Sequence, residues 1–375
     1  MKILIIEPYY GGSHKQWIDQ LVNHSTHSYQ VLSMTARHWK WRMEGGALEL
    51  IKQIREISDL PDLIITSSML DLSLFKVMLP QKFRDIPVLH YMHENQLTYP
   101  KSKLDTDVQN KRDFHYGFMQ FKSILVADKV YFNSHYHKNE FKQAILNLLE
   151  RMPDYCDPKY YVKVFKDKCD VLHLGIEFPA EFSDYLPIGS EAVKSNPQPI
   201  FLWNHRWEYD KYPELFFHTL YHLFEDGIDF KIIVLGESSG KYPAIFSEAK
   251  ERLKSRIIHW GYVNNKTEYY NLLKRADFLL VTSIQEFFGI SVLEAVGCGV
   301  VPILPDRLVY LEHFPKTNFQ ELYYESEDVV AKHVKRILSE PLDLNTKKQL
   351  IDIAKGYLWQ NQITHYDQVF QSMIH

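Results

Sequence analysis

Cysteine is scarce in this 375-residue chain: Cys156, Cys169 and Cys298 stand far apart and form no Cys-x-x-Cys pair. That excludes a disulfide framework and a zinc ribbon, and it fits a reducing compartment. No run approaches eighteen apolar residues, so no membrane span is expected. The opening apolar stretch, Ile3 to Ile6, stops at Glu7 with no cleavage pattern behind it, which argues against a signal peptide. A cytoplasmic protein is the expectation. Positive charge is not in excess either: the formal net charge is −4, which disfavours indiscriminate nucleic-acid binding but leaves room for a local basic patch. A Gly-x-Gly-x-x-Gly fingerprint, a Walker loop and a His-Glu-x-x-His helix are all missing. Dinucleotide, P-loop and zinc-protease readings therefore lack their signatures.

What the chain does have is alternation. Short apolar strands are separated by longer helical stretches, the pattern of stacked βαβ units around a parallel sheet. In the first half the strands are expected at 3–6, 30–33, 63–66, 88–92, 129–133 and 170–174; in the second at 200–203, 230–235, 257–259, 278–281 and 300–303. The stretch between them holds Pro187, Gly189, Pro197 and Pro199 and reads as a linker. The expected organisation is a first doubly wound domain over 1–185, a linker over 186–199, a second such domain over 200–345 and a helix over 346–375 that returns to the first domain. Ligands of open parallel sheets bind beyond the carboxyl ends of the strands, so two facing sheets would put a site in the cleft between them.

The candidate residues fall just after expected strands. Glu286-Phe287-Phe288-Gly289 opens a loop and then a helix, whose first N–H groups lack intrahelical acceptors and suit a phosphate. Glu294 follows eight positions after Glu286, suited to ribose hydroxyls; two solvated acids near a helix start are the plain alternative. Asn204-His205-Arg206 and Lys211 place two cations five residues apart after another strand. They can neutralise charge growing on a departing diphosphate, or simply pair with Glu208 and Asp210. Gly11-Gly12-Ser13-His14-Lys15 is a strand-to-helix turn that lets backbone approach an anion or a sugar, although alone such a turn is more often just a tight loop. His93-Glu94-Asn95-Gln96 is a dense polar loop after the 88–92 strand. Arg37, Trp39, Lys40, Trp41 and Arg42 interleave bases with rings, either to hold nucleic acid or to pack on a neighbouring helix. The histidine pairs His90/His93, His135/His137 and His218/His222 have ligand-like spacing but no completing carboxylate or cysteine, and structural roles are expected. Asp105-Thr106-Asp107 is formally a metal-type Asp-x-Asp, in a charged loop after no clear strand.

These segments together resemble a known group. Glu286 and Glu294 match the Glu-x₇-Glu of the GT-B glycosyltransferases of family four. Pro8 to Gln16, Ala36 to Arg42, His93 to Pro100, Val126 to Ser134, His205 to Lys211 and Glu286 to Gly289 resemble the tRNA-queuosine α-mannosyltransferase group within it. The resemblance covers nearly the whole chain. It implies two Rossmann-like domains facing across a cleft, and transfer of mannose from GDP-mannose to the cyclopentenediol of queuosine in tRNA, with retention and without a metal. By position it implies catalytic roles for His93, Arg206, Lys211 and Glu286. The donor would touch Gly12, Arg206, Lys211, Tyr262, Glu286, Phe287, Phe288, Gly289 and Glu294, with the choice of base near Tyr262. The acceptor would touch Ser13, His14, Lys15, Trp39, Trp41, Arg42, Glu94 and Asn95. Retaining enzymes of this fold are thought to let the leaving phosphate oxygen take the acceptor's proton, so no protein nucleophile is implied. Asn204 departs from the proline expected in the Trp-x-His-Arg run, and residues 150–195 match poorly. Alternatives are another nucleotide sugar or acceptor, or a protein that binds a nucleotide sugar or tRNA without turnover.

Overall fold

The computed structural model describes residues 1–100, 114–179, 196–237 and 242–374. Asp105 and Asp107, and most of the expected linker, lie outside them. The chain forms two compact units, Met1–Gly175 with Trp359–His375, and Ile176–Leu358.

The first unit runs β1 (Lys2–Tyr10), α1 (Gly12–His24), β2 (Ser28–Thr35), α2 (Trp39–Arg55), β3 (Leu63–Ser67), α3 (Leu72–Met78), β4 (Val88–Met92), α4 (His115–Val126), β5 (Lys129–Phe132), α5 (His135–Leu149), α6 (Pro158–Lys168) and β6 (Cys169–Val171). All six strands are parallel, in the order β2-β1-β3-β4-β5-β6. Ile3–Ile6, Leu63–Ile65 and Val88–Met92 are buried throughout. A strand covered by helices on both faces reads as a continuous apolar run rather than an alternating one, which is why the sequence pattern was legible here. Helix starts are fixed locally: Ser134 Oγ accepts from the His137 amide at α5, and Asp157 accepts from the Lys159 amide ahead of α6, which begins with Pro158.

The second unit repeats the plan with β7 (Ile200–Trp203), α7 (Pro213–Glu225), β8 (Lys231–Val234), α8 (Ile245–Arg252), β9 (Ile257–Trp260), α9 (Lys266–Arg275), β10 (Phe278–Leu280), α10 (Ile290–Gly297), β11 (Val301–Pro305), α11 (Tyr310–His313), α12 (Lys316–Phe319), β12 (Tyr323–Tyr324), α13 (Val330–Ser339) and α14 (Leu344–Gly356). Its sheet is also parallel, ordered β12-β11-β10-β7-β8-β9. An aromatic core of Trp203, Trp207, Phe216, Phe217 and Phe246 backs β7 and β8. Many of the rings that make the composition aromatic are therefore core.

Three expectations change. The first unit ends at Gly175 rather than 185, and the second takes up Ile176 onward and extends to Leu358. The two-residue strand β12 was not foreseen. The helix expected over 346–375 is two helices, α14 and α15 (Trp359–Ser372). The break has a cause: the chain leaves helical geometry at Tyr357 and Leu358, where Leu358 bridges Ile176 and the Tyr357 carbonyl accepts from the Ile176 amide at 2.8 Å. α14 then packs on α10, while α15 belongs to the first unit. There Trp359 donates to Gln20 Oε1 at 2.7 Å, and Tyr366 accepts from the Trp17 indole at 3.1 Å and donates to the His173 carbonyl at 3.0 Å.

Candidate functional site

At the carboxyl ends of β7 and β10 in the second unit, the sequence folds two polar loops against the start of α10. Gly289 caps that helix with φ 82°, a left-handed conformation that a side chain would strain. This turn separates Glu286 in the loop from Glu294 on the helix, as the sequence implied. The Val292 and Leu293 amides donate to the Gly289 carbonyl, which leaves the Ile290 and Ser291 amides without intrahelical acceptors at the positive end of the helix dipole.

Lys211 is the centre of this end. Its ammonium lies 3.0 Å from the Gln285 carbonyl, 3.1 Å from Glu286 Oε2 and 3.2 Å from Asp210 Oδ2. At 8 % exposure a cation is tolerable only with its donors satisfied in this way. Burial works against its charge, but Glu286 and Asp210 outweigh it and hold the lysine above its ordinary pKa. Burial likewise works against the Glu286 carboxylate, yet Lys211 and then His205 keep it below the usual range. Arg206 is the exposed counterpart: its side chain is 55 % exposed and its Nη1 lies 3.3 Å from Glu208. Both plain ion pairs anticipated from the sequence, with Glu208 and Asp210, thus occur alongside the Lys211–Glu286 pair.

Glu294 is buried, and each oxygen accepts from a tyrosine: Oε2 from Tyr269 at 2.9 Å, Oε1 from Tyr270 at 3.0 Å. Burial raises its pKa, partly countered by those two hydroxyls. Each oxygen keeps a lone pair for a further donor. Asn204 Nδ2 ties this corner to the helix, 2.7 Å from the Ser291 carbonyl and 3.4 Å from the Tyr269 hydroxyl. His205 Nδ1 and Ser291 Oγ are hydrogen-bonded at 3.0 Å, and burial lowers the His205 pKa to about 4. Asn204 Oδ1, His205 Nε2 and Gln285 Nε2 are buried here without a hydrogen-bond partner among the described residues. Buried polar atoms left open in this way call for a partner, whether water or ligand. Behind the loop, the Phe288 carbonyl lies 2.6 Å from His313 Nε2, which must donate, so His313 Nδ1 accepts from Tyr357 at 2.8 Å. Phe287 and Phe288 are buried, so they support the loop through packing and backbone. Tyr262 is 61 % exposed, and no hydrogen bond or ring contact ties it to this network among the described residues.

The first unit gathers a different set at the ends of β1 and β4. Gly12 opens α1 with φ 53° in open space, so its requirement is conformational. The turn lets His14 fold back onto Glu7, whose Oε2 is 3.0 Å from His14 Nδ1 and whose Oε1 accepts from the Tyr9 amide at 2.7 Å. Burial opposes charge on His14, but Glu7 and then Glu94 outweigh it and raise its pKa. His93 lies against it, ring centroids 4.2 Å apart, flanked by Tyr91 at 4.7 Å and Trp17 at 4.8 Å. Its amide donates to Ser68 Oγ, its carbonyl accepts from Asn133, and its buried Nε2 has no partner among the described residues. Burial, with His14, His137 and His90 nearby, holds it neutral, well below the ordinary pKa. Glu7, His14 and His93 each bring a ligand-type atom within 4.8 Å of the others. Each Glu7 oxygen takes one hydrogen bond, so Glu7 and His14 form a carboxylate–imidazole pair with a neutral ring beside it.

The remaining expected residues divide. Ser13 is exposed at the start of α1, and Lys15 pairs with Asp19 beside the Tyr10 ring. Asn95 is consumed locally: it accepts from the Leu97 and Thr98 amides and donates to Thr98 Oγ1. Glu94 accepts from Gln96 Nε2 at 3.3 Å. Trp39 packs beside Tyr116 and a cluster of Met43, Met69 and Met119, whereas Trp41 stays 54 % exposed with its ring over Gly45. Arg42 donates to the Thr35 carbonyl at 3.0 Å. His90 and His137 are held by Thr66 and Asn133, the structural roles expected of them. Residues missed from sequence are Tyr269, Tyr270 and His313. Glu7 had one signal, a carboxylate interrupting an otherwise apolar strand, which was read only as the end of a hydrophobic run.

Residues 2–176 match the family described as tRNA-queuosine alpha-mannosyltransferase N-terminal, and residues 190–357 match glycosyl transferases group 1. A tRNA-queuosine alpha-mannosyltransferase from Drosophila melanogaster is 36 % identical over 338 residues, 88 % of this chain and 85 % of the relative. Among solved structures, sucrose-phosphate synthase from Thermosynechococcus elongatus superposes with a TM-score of 0.70 at 15 % identity, covering 100 % of this chain and 99 % of that one. HepE from Anabaena, solved in complex with UDP, gives 0.65 at 14 % identity, covering 100 % and 99 %. These structural likenesses speak for the fold alone, which is GT-B.

Proposed function

The chain belongs to the tRNA-queuosine alpha-mannosyltransferase family, and from that premise we propose that it transfers mannose from GDP-mannose to queuosine in tRNA, in the cytoplasm, with retention and without a metal ion. The observation that carries the donor half of this reading is the buried Lys211–Glu286 pair beside the open first turn of α10. A diphosphate seated there meets helix amides and Lys211, and the exposed Arg206 can swing from Glu208 onto it. As the bond from the sugar's anomeric carbon to phosphate breaks, charge grows on the phosphate oxygen, and these cations stabilise it in a site with little water. Glu286, kept ionised, accepts from sugar hydroxyls. Glu294 accepts from the ribose through the lone pairs its tyrosines leave free. With retention, the acceptor hydroxyl attacks from the side the phosphate leaves and its proton passes to that phosphate oxygen.

The test is direct. The protein is incubated with GDP-mannose and either queuosine-modified or queuosine-free tRNA, and the digested nucleosides are weighed. A hexose added to queuosine alone is the expected result, and equal labelling of both tRNAs would end the queuosine claim. UDP-glucose in parallel decides the donor, the anomeric coupling of the product decides retention, and a chelator arm decides the metal.

A further inference from the structure

A carboxylate with no exposure needs a reason. Glu7 lies on β1 just after Ile3–Ile6, at 0 % exposure, and among the described residues its partners are the Tyr9 amide and His14 Nδ1. Burying a carboxylate is costly unless its hydrogen bonds are complete, and a neutral residue would suit the strand better. What the carboxylate supplies is orientation. Because it only accepts, it places a proton on His14 Nδ1, fixes the ring and leaves Nε2 as the nitrogen for another partner.

We propose that Glu7 is a positioning residue for His14, whose Nε2, in the neutral ring, accepts a hydrogen bond from the non-attacking hydroxyl of the acceptor's diol. This rests on the reading of the acceptor as the diol of queuosine. The hydrogen bond orients the diol, while the attacking hydroxyl keeps its proton for the leaving phosphate oxygen. An imidazolium has no lone pair with which to accept, so protonating His14 loosens the acceptor and lowers kcat/KM. The groups facing His14 are Glu7 from β1, Glu94 and neutral His93 from the end of β4, and the Tyr9 ring edge at 6.0 Å. The two carboxylates raise the pKa of His14, so the acid side of the activity profile falls within reach of neutral pH.

Wild type, Glu7→Gln and His14→Ala are assayed for kcat/KM toward queuosine-modified tRNA across about pH 5 to 8, with GDP affinity measured to confirm an intact donor end. Wild-type activity should fall as pH drops through the His14 pKa. In Glu7→Gln the loss of the carboxylate lowers that pKa, so the acid limb should move to lower pH by about one unit, and in His14→Ala the limb should vanish. NMR titration of labelled histidine in the unliganded protein should show the same downward shift of His14. An unmoved limb in Glu7→Gln, or an unmoved His14 resonance, overturns the proposal. So does activity that a chelator abolishes and zinc restores, which would make the cluster a metal centre. An inactive wild type would sink the transfer reading and this acceptor with it, whereas an active wild type with an unmoved limb sinks only the role of Glu7 and His14.

Discussion

The two polar ends of the molecule solve opposite problems. In the second unit, charge is settled in advance: Lys211 is gripped by three acceptors, Glu286 is held ionised, and both oxygens of Glu294 are engaged by tyrosines. In the first, rings dominate and most are neutral, with His93 flanked by Tyr91 and Trp17, and charge concentrated on the Glu7–His14 pair. The difference matches the ligands proposed for each. A diphosphate carries fixed charge and calls for preorganised cations and dipoles, whereas a sugar and a diol offer hydroxyls that need shape and hydrogen bonds.

The contrast can be broken most severely at Lys211. Lys211→Ala should lower transfer by about 10²–10³-fold, and should also lower the urea midpoint, because Asp210 and Glu286 would be left buried without their cation. Unchanged turnover would mean that the charged end is only structural. Acid should expose the opposite weakness. His90 and His137 have pKa values lowered to about 3, and His205 to about 4, all by burial. The unfolded chain takes up protons below its ordinary value near 6.5 while the folded one does not, so stability falls as pH drops from there toward those lowered values. Each such histidine contributes up to about 1.4 kcal/mol per pH unit within that window. Urea unfolding at pH 7, 6 and 5 measures the slope, and His137→Gln should flatten it.

A finer probe is Glu294→Gln. It keeps the shape and acceptance from one tyrosine but puts a donor NH2 in place of the other oxygen and weakens acceptance from the ribose, so donor KM should rise about tenfold with kcat little changed, a loss of about 1.4 kcal/mol. An equal fall in kcat would move Glu294 from binding to the chemistry. The smallest effect belongs to the exposed Trp41. Trp41→Ala should weaken tRNA binding several-fold, about 1 kcal/mol if a base stacks there, and leave GDP affinity alone. Unchanged tRNA affinity would remove this surface from the acceptor side.

How much of this was legible follows from how local each feature is. The strands buried on both faces announced themselves as apolar runs, and the Glu286–Glu294 spacing located the loop, the Gly289 turn and the helix together. Lys211 and Glu286 meet in one ion pair, and Asn204 links the Tyr269 that holds Glu294 to Ser291 on the same helix. What escaped was non-local. Nothing near Glu294 in sequence announces Tyr269 and Tyr270, which come from α9, twenty-five and twenty-four positions away. Glu7 was visible as a charge ending an apolar run, but that its side chain is wholly buried could be known only once His14 folded back on it. Trp39 and Trp41 alternate identically in sequence, yet one packs among methionines and the other faces water, because a helix turns them apart by about 200°. The two-residue β12 is too short to carry any period at all.

The return of α15 to the first unit carries a consequence for how the protein is made. Trp359 closes over Gly175 and Tyr366 joins Trp17 to the His173 carbonyl, so the half translated first lacks its own last piece until the rest of the chain has been synthesised. On the ribosome the N-terminal half must wait, with the surface for α15 uncovered, while the later half emerges and folds. A premature stop just before Trp359 would leave the entire second unit intact and damage the first.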